Sequence, residues 1–381
     1  MKPPIEPNGK PRYIMIGGFL GAGKTTAVAQ LARQLTEEGL KVGLITNDQG
    51  SELVDTALLR SRGFATEEIS GGCFCCRFNS LTDAAAKLTQ TTRPDVFIAE
   101  PVGSCTDLVA TVTYPLRRIY GNDYLIAPLS VLVDPIRALR IFGLEQGGKF
   151  SEKVLYIYRK QLAEADVIVI NKVDLLAGEQ TILLRECLAR EFPSAKVFEV
   201  SSRTGSGLAE WFEHIRACSQ DSSRELEINY DTYSDGEALL GWLNCTIQMS
   251  HESGADANEA LSQCASLVQK YLQKNGAEIG HLKMTLSPDV GLGDIAVINL
   301  VRNDYVPELS LTLEEPVQSA QIILNLRAET APEILRDAVQ FAMSHLEKSD
   351  SQLKLTLEHL EHFRPGRPNP THRFLTPALL K

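Results

Sequence analysis

From residue 12 to about residue 217, short apolar runs rich in β-branched residues alternate with longer stretches of helical period. That alternation marks β-α-β units and a mainly parallel sheet. It predicts strands over residues 12–16, 41–46, 96–100, 129–133, 167–170 and 196–200, with helices such as 24–38, 81–90 and 208–216 between them. Runs like VIVI and VFIA are apolar at every position, as strands covered on both faces are. The polar stretch 219–227, with QDSSRE in it, reads as a linker. Beyond it the pattern predicts strands at 242–249, 281–287, 293–301 and 321–326 and helices at 258–274 and 332–346, a smaller α+β domain for which ferredoxin-like packing is one admissible arrangement. After Lys348 the chain turns polar and Pro-rich, through FRPGRPNPTHRF, and is expected to run extended along the surface. The expected division is a flexible arm at 1–11, an α/β domain at 12–220, the α+β domain at 228–348 and a tail at 349–381, with no internal repeat.

Composition narrows the function classes. The 381 residues are 44% hydrophobic and 23% charged, enough apolar material for two cores. A formal charge of −10 argues against a chain that grips nucleic acid or an anionic membrane through a net basic field. The Pro-rich start MKPPIEPNGKPR lacks the apolar stretch of a secretory signal, and no run approaches a membrane span, so a cytoplasmic location is expected. Eight cysteines are too sparse for a disulfide scaffold.

Chemistry enters with GGFLGAGKTT, residues 17–26. Gly18, Gly23, Lys24 and Thr25 satisfy the phosphate-binding pattern G-x-x-x-x-G-K-[ST], with a predicted strand before it and a helix after it. Gly18, Gly21 and Gly23 free the backbone to wrap a β-phosphate against N–H groups at a helix start. Lys24 supplies a point charge to the β- and γ-phosphates, the Thr25 hydroxyl is a Mg²⁺ ligand, and Thr26 continues the nucleotide-facing run. The fold class expected is therefore a P-loop NTPase α/β domain.

NKVD at residues 171–174 follows the strand VIVI. Asp174 is placed to accept hydrogen bonds from the ring N–H and amino group of guanine, Asn171 to bond its other edge, and the Lys172 stem to cover the ring. Adenine lacks those donors, and a carboxylate left unpaired is costly. An N-K-x-D match arises by chance in about one chain in twenty of this length, so its weight comes from its place in the strand order. The loop SSRTGSG, opening at Ser201, is the expected source of a second guanine-side contact, or else a plain Gly-rich turn. Glu100, at the end of VFIAE, is a candidate to hold Mg²⁺ or orient the attacking water, and Gly103 to let the backbone approach the γ-phosphate. Asp48 in ITNDQG is the second candidate carboxylate for either task.

Between these motifs lies CFCC. Cys73, Cys75 and Cys76 cannot comfortably all ionise without a cation, and thiolates select Zn²⁺, Cu⁺ or a similar soft ion, with Co²⁺ also accepted. Gly71 and Gly72 allow the turn that points the sulfurs inward. A redox thiol set and inert packing are the competing readings of the triplet. No fourth ligand is evident; Cys105 reads as a buried structural cysteine.

GGFLGAGKTT, GGCFCC, EPVG and NKVD in this order resemble the CobW/HypB/UreG family of metallochaperone GTPases, and the cysteine triplet resembles its CobW-like branch. The resemblance covers about the first 220 residues. It implies GTP and GDP at the P-loop, Zn²⁺ or Co²⁺ at Cys73, Cys75 and Cys76, and a metal site altered by GTP binding and hydrolysis, with Glu100 and Gly103 sensing the γ-phosphate. It also implies a client metalloprotein or cofactor enzyme met by the carboxyl-terminal domain. With no obvious arginine finger in the chain, slow intrinsic hydrolysis is expected, accelerated by a client or by a nucleotide-dependent homodimer. Two other functions fit the same motifs: an adaptor that reactivates a cobalamin or other metallocofactor enzyme around a structural metal, and a thiol-redox regulator. His359 and His362 at i, i+3, with His372, are candidates for an auxiliary metal site, against a solvated helix face or a partner-binding tail.

Overall fold

In the computed structural model, residues 9–49, 54–120, 123–220, 226–290 and 293–376 are described; most of the 1–11 arm and the centre of the 219–227 linker lie outside them. Contacts divide the chain into two units, Met1–Gln49, Phe64–Tyr233 and Pro368–Lys381 in the first, Gly50–Gly63 and Ser234–Arg367 in the second.

The first unit holds strands β1 (Arg12–Gly18), β2 (Val42–Asn47), β3 (Ala65–Ile69), β4 (Val96–Glu100), β5 (Leu125–Ile126), β6 (Ser130–Val133), β7 (Val167–Ile170) and β8 (Lys196–Glu199). They form one parallel sheet in the order β3-β2-β4-β1-β6-β7-β8, with β5 beside β1. Its helices are α1 (Lys24–Glu37), α3 (Phe78–Thr91), α4 (Tyr114–Tyr120), α5 (Pro135–Ile141), α6 (Glu152–Glu164), α7 (Gly178–Glu191) and α8 (Leu208–Ala217); α2 (Val54–Ser61) belongs to the second unit. Leu44, Ile45, Ile98, Ala99, Ile168 and Val169 are all fully buried, the burial on both faces that their sequence pattern predicts. The order of strands reverses direction at β1, and in such sheets ligands bind past the carboxyl ends at that point. Thr46 of β2 lies in register with Glu100 of β4, and Gly18 of β1 with Leu132 of β6, so the loops after these strands leave from one edge.

The second unit runs β9 (Leu240–Ala255), α10 (Ala257–Lys274), β10 (Glu278–Pro288), β11 (Ala296–Leu300), β12 (Glu308–Leu311), β13 (Val317–Glu329), α11 (Pro332–Ser349) and β14 (Leu353–Phe363), after α9 (Tyr230–Leu239). The antiparallel order β12-β11-β10-β13-β9-β14 is the ferredoxin-like arrangement widened by the β11–β12 hairpin. Leu243, Cys245, Ile247, Leu324 and Met284 meet Leu261, Val268, Leu335 and Val339 of α10 and α11 in one core. The opposite face carries Asn244, Asn325, Thr285 and Arg327, all buried, and takes α2: Lys283 Nζ pairs with both Asp55 oxygens at 2.5 and 2.6 Å, and the Val54 N–H donates to Asn325 Oδ1 at 2.9 Å.

The structure corrects the expected tail. Residues 353–363 are a full strand paired to β9, since LKLTLEHLEHF alternates in period two and a bulge between Leu357 and His359 keeps the register. His359 therefore sits opposite Thr246 and His362 opposite Leu243, on opposite faces of the sheet, and the two cannot chelate one ion. Their i, i+3 spacing would share a face only on a helix.

Gly18 combines φ +133° with a backbone contact, as a Cβ there would lie 2.4 Å from the Leu132 carbonyl oxygen. Gly18→Ala is expected to destabilise the first unit by about 2–4 kcal/mol, from left-side backbone strain and overpacking together. Denaturant unfolding followed by Trp fluorescence checks this, and a wild-type midpoint would refute it.

Candidate functional site

The loop after β1 closes onto α1 through the Ala22 N–H to Phe19 carbonyl bond at 3.2 Å and two left-handed glycines, Gly21 at φ 77° and Gly23 at φ 90°. Only glycine fits at 23, because a Cβ would meet Asn171 Nδ2 at 2.4 Å. Lys24 is buried with its Nζ near the Phe19 carbonyl at 3.5 Å, and Thr26 is exposed at the mouth of the loop. The Thr25 hydroxyl donates to Glu100 Oε1 at 2.9 Å, which brings the two expected Mg²⁺ ligands together. Gly103 packs on the same spot, a Cβ there lying 3.2 Å from Lys24 Nζ and 2.8 Å from Leu20. Of the two candidate acids, Glu100 takes the Thr25 hydroxyl directly, while the Asp48 Oδ1 accepts the Gln49 N–H at 2.6 Å within its own loop.

The residues expected on the guanine side take different places in the structure. Asn171 is buried and ties two loops together, donating to the Ala22 carbonyl at 2.9 Å and accepting the Ser202 N–H at 2.9 Å. One amide hydrogen and one lone pair remain beyond those two bonds. Lys172, left-handed at φ 56°, lays its stem along the P-loop and donates to the Gly21 carbonyl at 2.6 Å and to Asp134 at 2.9 Å. Asp174 stands exposed in the short 3-10 turn that follows. Ser201 is buried with its Oγ accepting the Thr204 N–H at 3.1 Å, so it braces its turn from inside, and the exposed part of that loop is Arg203 to Ser206.

Cys73, Cys75 and Cys76 converge at the start of α3. Their sulfurs lie 2.8, 3.4 and 3.7 Å apart, and among the described residues they form the one group of three or more such ligand atoms within 4.8 Å of one another. Sulfurs around a tetrahedral Zn²⁺ at about 2.3 Å sit about 3.8 Å apart, so the donor set fits a soft cation after small adjustments. The turn is made by Gly71 at φ 73° and Gly72 at φ 148°, and by the Cys76 and Arg77 N–H groups both donating to the Cys73 carbonyl. Hydrogen bonds shared with Cys105, then Cys75 and Cys76, hold the Cys73 thiol well below its ordinary pKa. The same network, with Cys105 again foremost, pushes Cys75 well up, and Cys76 is pushed up to about 11 chiefly by Cys73. One thiolate among thiols is the state expected of such a set without a cation.

Several participants carry no motif. Asn47, the last residue of β2, donates its Nδ2 to the Ile69 carbonyl at 3.0 Å and to the Gly72 carbonyl at 2.8 Å, fastening the strand end to the cysteine turn. Its only sequence signal is a polar side chain closing an apolar run. Cys105 is buried at 1% exposure, and its thiol is foremost among the causes that shift Cys73 down and Cys75 up. Residues 369–374 cross the turn as a strap: the Asn369 N–H donates to Cys76 Sγ at 3.3 Å, the Thr371 N–H to the Cys75 carbonyl at 2.8 Å, and the Thr371 hydroxyl to the Cys76 carbonyl at 3.1 Å. Arg373 pins the strap to buried Asp107 at 2.7 Å, and the His372 ring packs edge-on against Phe78 at 5.1 Å. His372 is thus a packing residue of the strap.

Residues 12–199 match the family model described as CobW/HypB/UreG, nucleotide-binding domain. This domain belongs to the CobW/HypB/UreG family. The matched part is the nucleotide-binding domain of that family, and here it carries a cysteine cluster. Zinc chaperone YjiA of Escherichia coli (strain K12) is 31% identical over 193 residues, 49% of this chain and 56% of that protein. Zinc chaperone YeiR of the same organism is 34% identical over 172 residues, 44% and 48% of the two chains. Zinc chaperone CobW of a Sinorhizobium species is 30% identical over 219 residues, 51% and 57%. The chain spans about half the length of these relatives. Among the described residues no helix is long and apolar enough to cross a membrane.

Behind the loop after β4, Glu164 is buried, accepting from Thr106 Oγ1 and the Val109 N–H, both at 3.1 Å. Burial first, then the charge of Asp107, pushes its pKa up to about 8 from 4.5. The folded protein then binds more protons than the unfolded chain between those two values, so stability falls as pH rises through that window and levels above it. Glu164→Gln keeps the volume and removes the titration. Unfolding midpoints at about pH 5.5 and about pH 8.5 are expected to differ less in this variant than in the wild type; an unchanged difference would assign the pH dependence to another group.

Proposed function

We propose that the chain is a GTP-hydrolysing metallochaperone that binds Zn²⁺ or Co²⁺ at Cys73, Cys75 and Cys76 and delivers it, or licenses metallocofactor insertion, to a client protein. The observation that carries this reading is the Asn47 tie. The cysteine turn is fastened to the end of β2, which lies in register beside Glu100, and Glu100 is bonded to Thr25 of the P-loop. A ligand that draws on Thr25 and Glu100 therefore acts on strand ends that also set the sulfur positions. The names of the relatives, zinc chaperones, agree in chemistry with a thiol donor set.

In this reading Asp174 and the loop Arg203 to Ser206 recognise guanine, and Asn171 and Lys172 hold the base loop against the P-loop. Lys24 neutralises charge on the transferred phosphoryl group, Thr25 and Glu100 hold Mg²⁺, and Glu100 or Asp48 places the attacking water. Mg²⁺ supplies further charge neutralisation when bound. The buried strand ends exclude bulk water from Lys24 and Glu100, which raises the worth of each charge. Turnover of the isolated protein below ~1 s⁻¹ is expected, rising with the client or on dimerisation. The working compartment is the cytoplasm, where thiols stay reduced.

The test is a titration of Zn²⁺ and Co²⁺ into reduced protein against a competing chelator, without nucleotide, with Mg²⁺GDP and with a non-hydrolysable Mg²⁺GTP analogue. Metal affinity is expected to change about 5- to 150-fold between nucleotide states and to collapse in Cys75→Ser. Equal affinity in all three states would instead favour an adaptor around a structural metal. Asn47→Ala is expected to retain both binding activities but shrink the difference between the nucleotide states, since it cuts the tie without touching sulfur or phosphate. A difference of wild-type size in that variant would remove the tie from the mechanism.

A further inference from the structure

The sulfurs of the cysteine cluster differ in how far they lie from solvent. Cys73 and Cys75 are buried, at 4% and 1% exposure, whereas Cys76 is half-buried and forms the outer side of the cluster. The 369–374 strap crosses at that side. Its bonds to the turn come from main-chain N–H groups and one surface hydroxyl: the Asn369 N–H to Cys76 Sγ at 3.3 Å, the Thr371 N–H to the Cys75 carbonyl at 2.8 Å, and Thr371 Oγ1 to the Cys76 carbonyl at 3.1 Å. Beyond the turn the strap is fastened again. Arg373 donates to buried Asp107 at 2.7 Å and to the Leu226 carbonyl at 3.1 Å, the Phe374 N–H donates to the Ala110 carbonyl at 2.9 Å, and the Arg118 guanidinium lies over the Phe374 ring at 4.5 Å.

A segment that merely completed the core would bury its own side chains. Here Asn369, Thr371 and Arg373 are exposed and Pro370, His372 and Phe374 only half-buried, so the strap lifts on the loss of a few hydrogen bonds and draws no core side chain of its own into water. Pro368 and Pro370 fix the backbone on either side of Asn369, and little order is lost each time the segment reseats. Asp107 also accepts from the Tyr230 hydroxyl at 2.6 Å, so the buried carboxylate keeps a partner when Arg373 leaves it.

We propose that residues 369–374 are a lid on the cysteine cluster, latched by Arg373 on Asp107, that sets how fast a metal ion enters and leaves without being a ligand to it. The proposal rests on the reading that the triplet binds metal. Closed, the strap holds its main chain over Cys76, across the path of an incoming ion or of an acceptor's ligand. A gate of this kind multiplies entry and exit by one factor, the fraction of time it stands open, and leaves the equilibrium affinity unchanged. A strap that instead supported the ligands themselves would act on exit alone and would change affinity.

The test uses the full chain, reduced and free of nucleotide, as wild type, Arg373→Ala and Thr371→Val, none of which alters a sulfur. Zn²⁺ entry is followed by rapid mixing, exit by transfer to a chromophoric chelator, affinity by competition, and opening of the strap by amide hydrogen exchange at Asn369, Thr371 and Phe374. Both rates are expected to rise about tenfold or more in Arg373→Ala and about two- to tenfold in Thr371→Val, with exchange in the strap accelerated in parallel. The Kd should stay within about twofold of the wild type. Rates of wild-type size in both variants would overturn the lid, and strap exchange unchanged in Arg373→Ala would overturn the latch. Faster exit with weaker affinity and unchanged entry would make the strap a support of the ligand set, which also overturns the lid. A wild type that takes up no zinc at the cysteines would instead sink the metal reading on which the lid rests. If Arg373→Ala loosens the whole fold, exchange accelerates throughout the chain, and Thr371→Val, which removes a single surface hydroxyl, decides alone.

Discussion

Parallel pairing of β2 with β4 puts Thr46 opposite Glu100, and much of the site hangs on that register. One residue past Thr46, Asn47 reaches sideways to the turn that begins at Gly72; at the end of β4, Glu100 reaches the other way to Thr25. A slip of one residue would turn both side chains to the wrong face of the sheet. Because the strands are buried on both faces, such a slip is strongly opposed by the core, and two chemically unlike sites are held at fixed spacing by the packing of Ile45, Ile98 and Ala99. The sheet's contribution to function is therefore positional.

The segment after β4 shows how much structure is spent on holding one loop. Asp107 is left-handed at φ 65°, a conformation that costs a non-glycine residue of order 1–3 kcal/mol. It is kept there by hydrogen bonds from Tyr230 at 2.6 Å and Arg373 at 2.7 Å, while Glu164 takes Thr106 and the Val109 N–H from behind. A turn of π-helix, Val109–Thr113, follows at once. Wide helical turns and strained backbone cluster at functional sites because the surroundings can over-determine them. Burial raises the pKa of both Asp107 and Glu164, so a bare charge on either is costly here.

How much of this was legible in the chain depends on the range of the interaction. The P-loop pattern, NKVD and the cysteine triplet are each a run of neighbouring residues, so local pattern alone singles out Lys24, Thr25, Asp174 and Cys73 as candidates. The alternation of apolar runs placed β1, β2, β4, β6, β7 and β8 for the same reason, but not the half-buried β3 or the two-residue β5. Asn47, Cys105 and the 369–374 strap act across 25, about 30 and 293 residues respectively, and no local pattern records such contacts. β14 was legible in principle from LKLTLEHLEHF, but two histidines at helical spacing and the prolines that follow masked a period-two signal that the bulge at Leu357 also interrupts. Asn171 shows a subtler limit. Its motif announces the guanine loop, whereas the bonds it makes here are to Ala22 and Ser202, a bracing task that sequence alone does not separate from contact with the base.

The second unit extends the same logic to a polar surface. A sheet face carrying Asn244 and Asn325 out of water would be a liability unless their amides found partners. Here Asn325 donates to Asn244 at 3.0 Å, Asn244 donates to Glu361 at 2.8 Å, and the spare acceptor on Asn325 takes the first free N–H of α2. Polar contacts of this kind add little net stability but admit one placement, because a helix shifted along the face would strand several buried donors. Lys283 adds a charge that Asp55 meets at 2.5 Å.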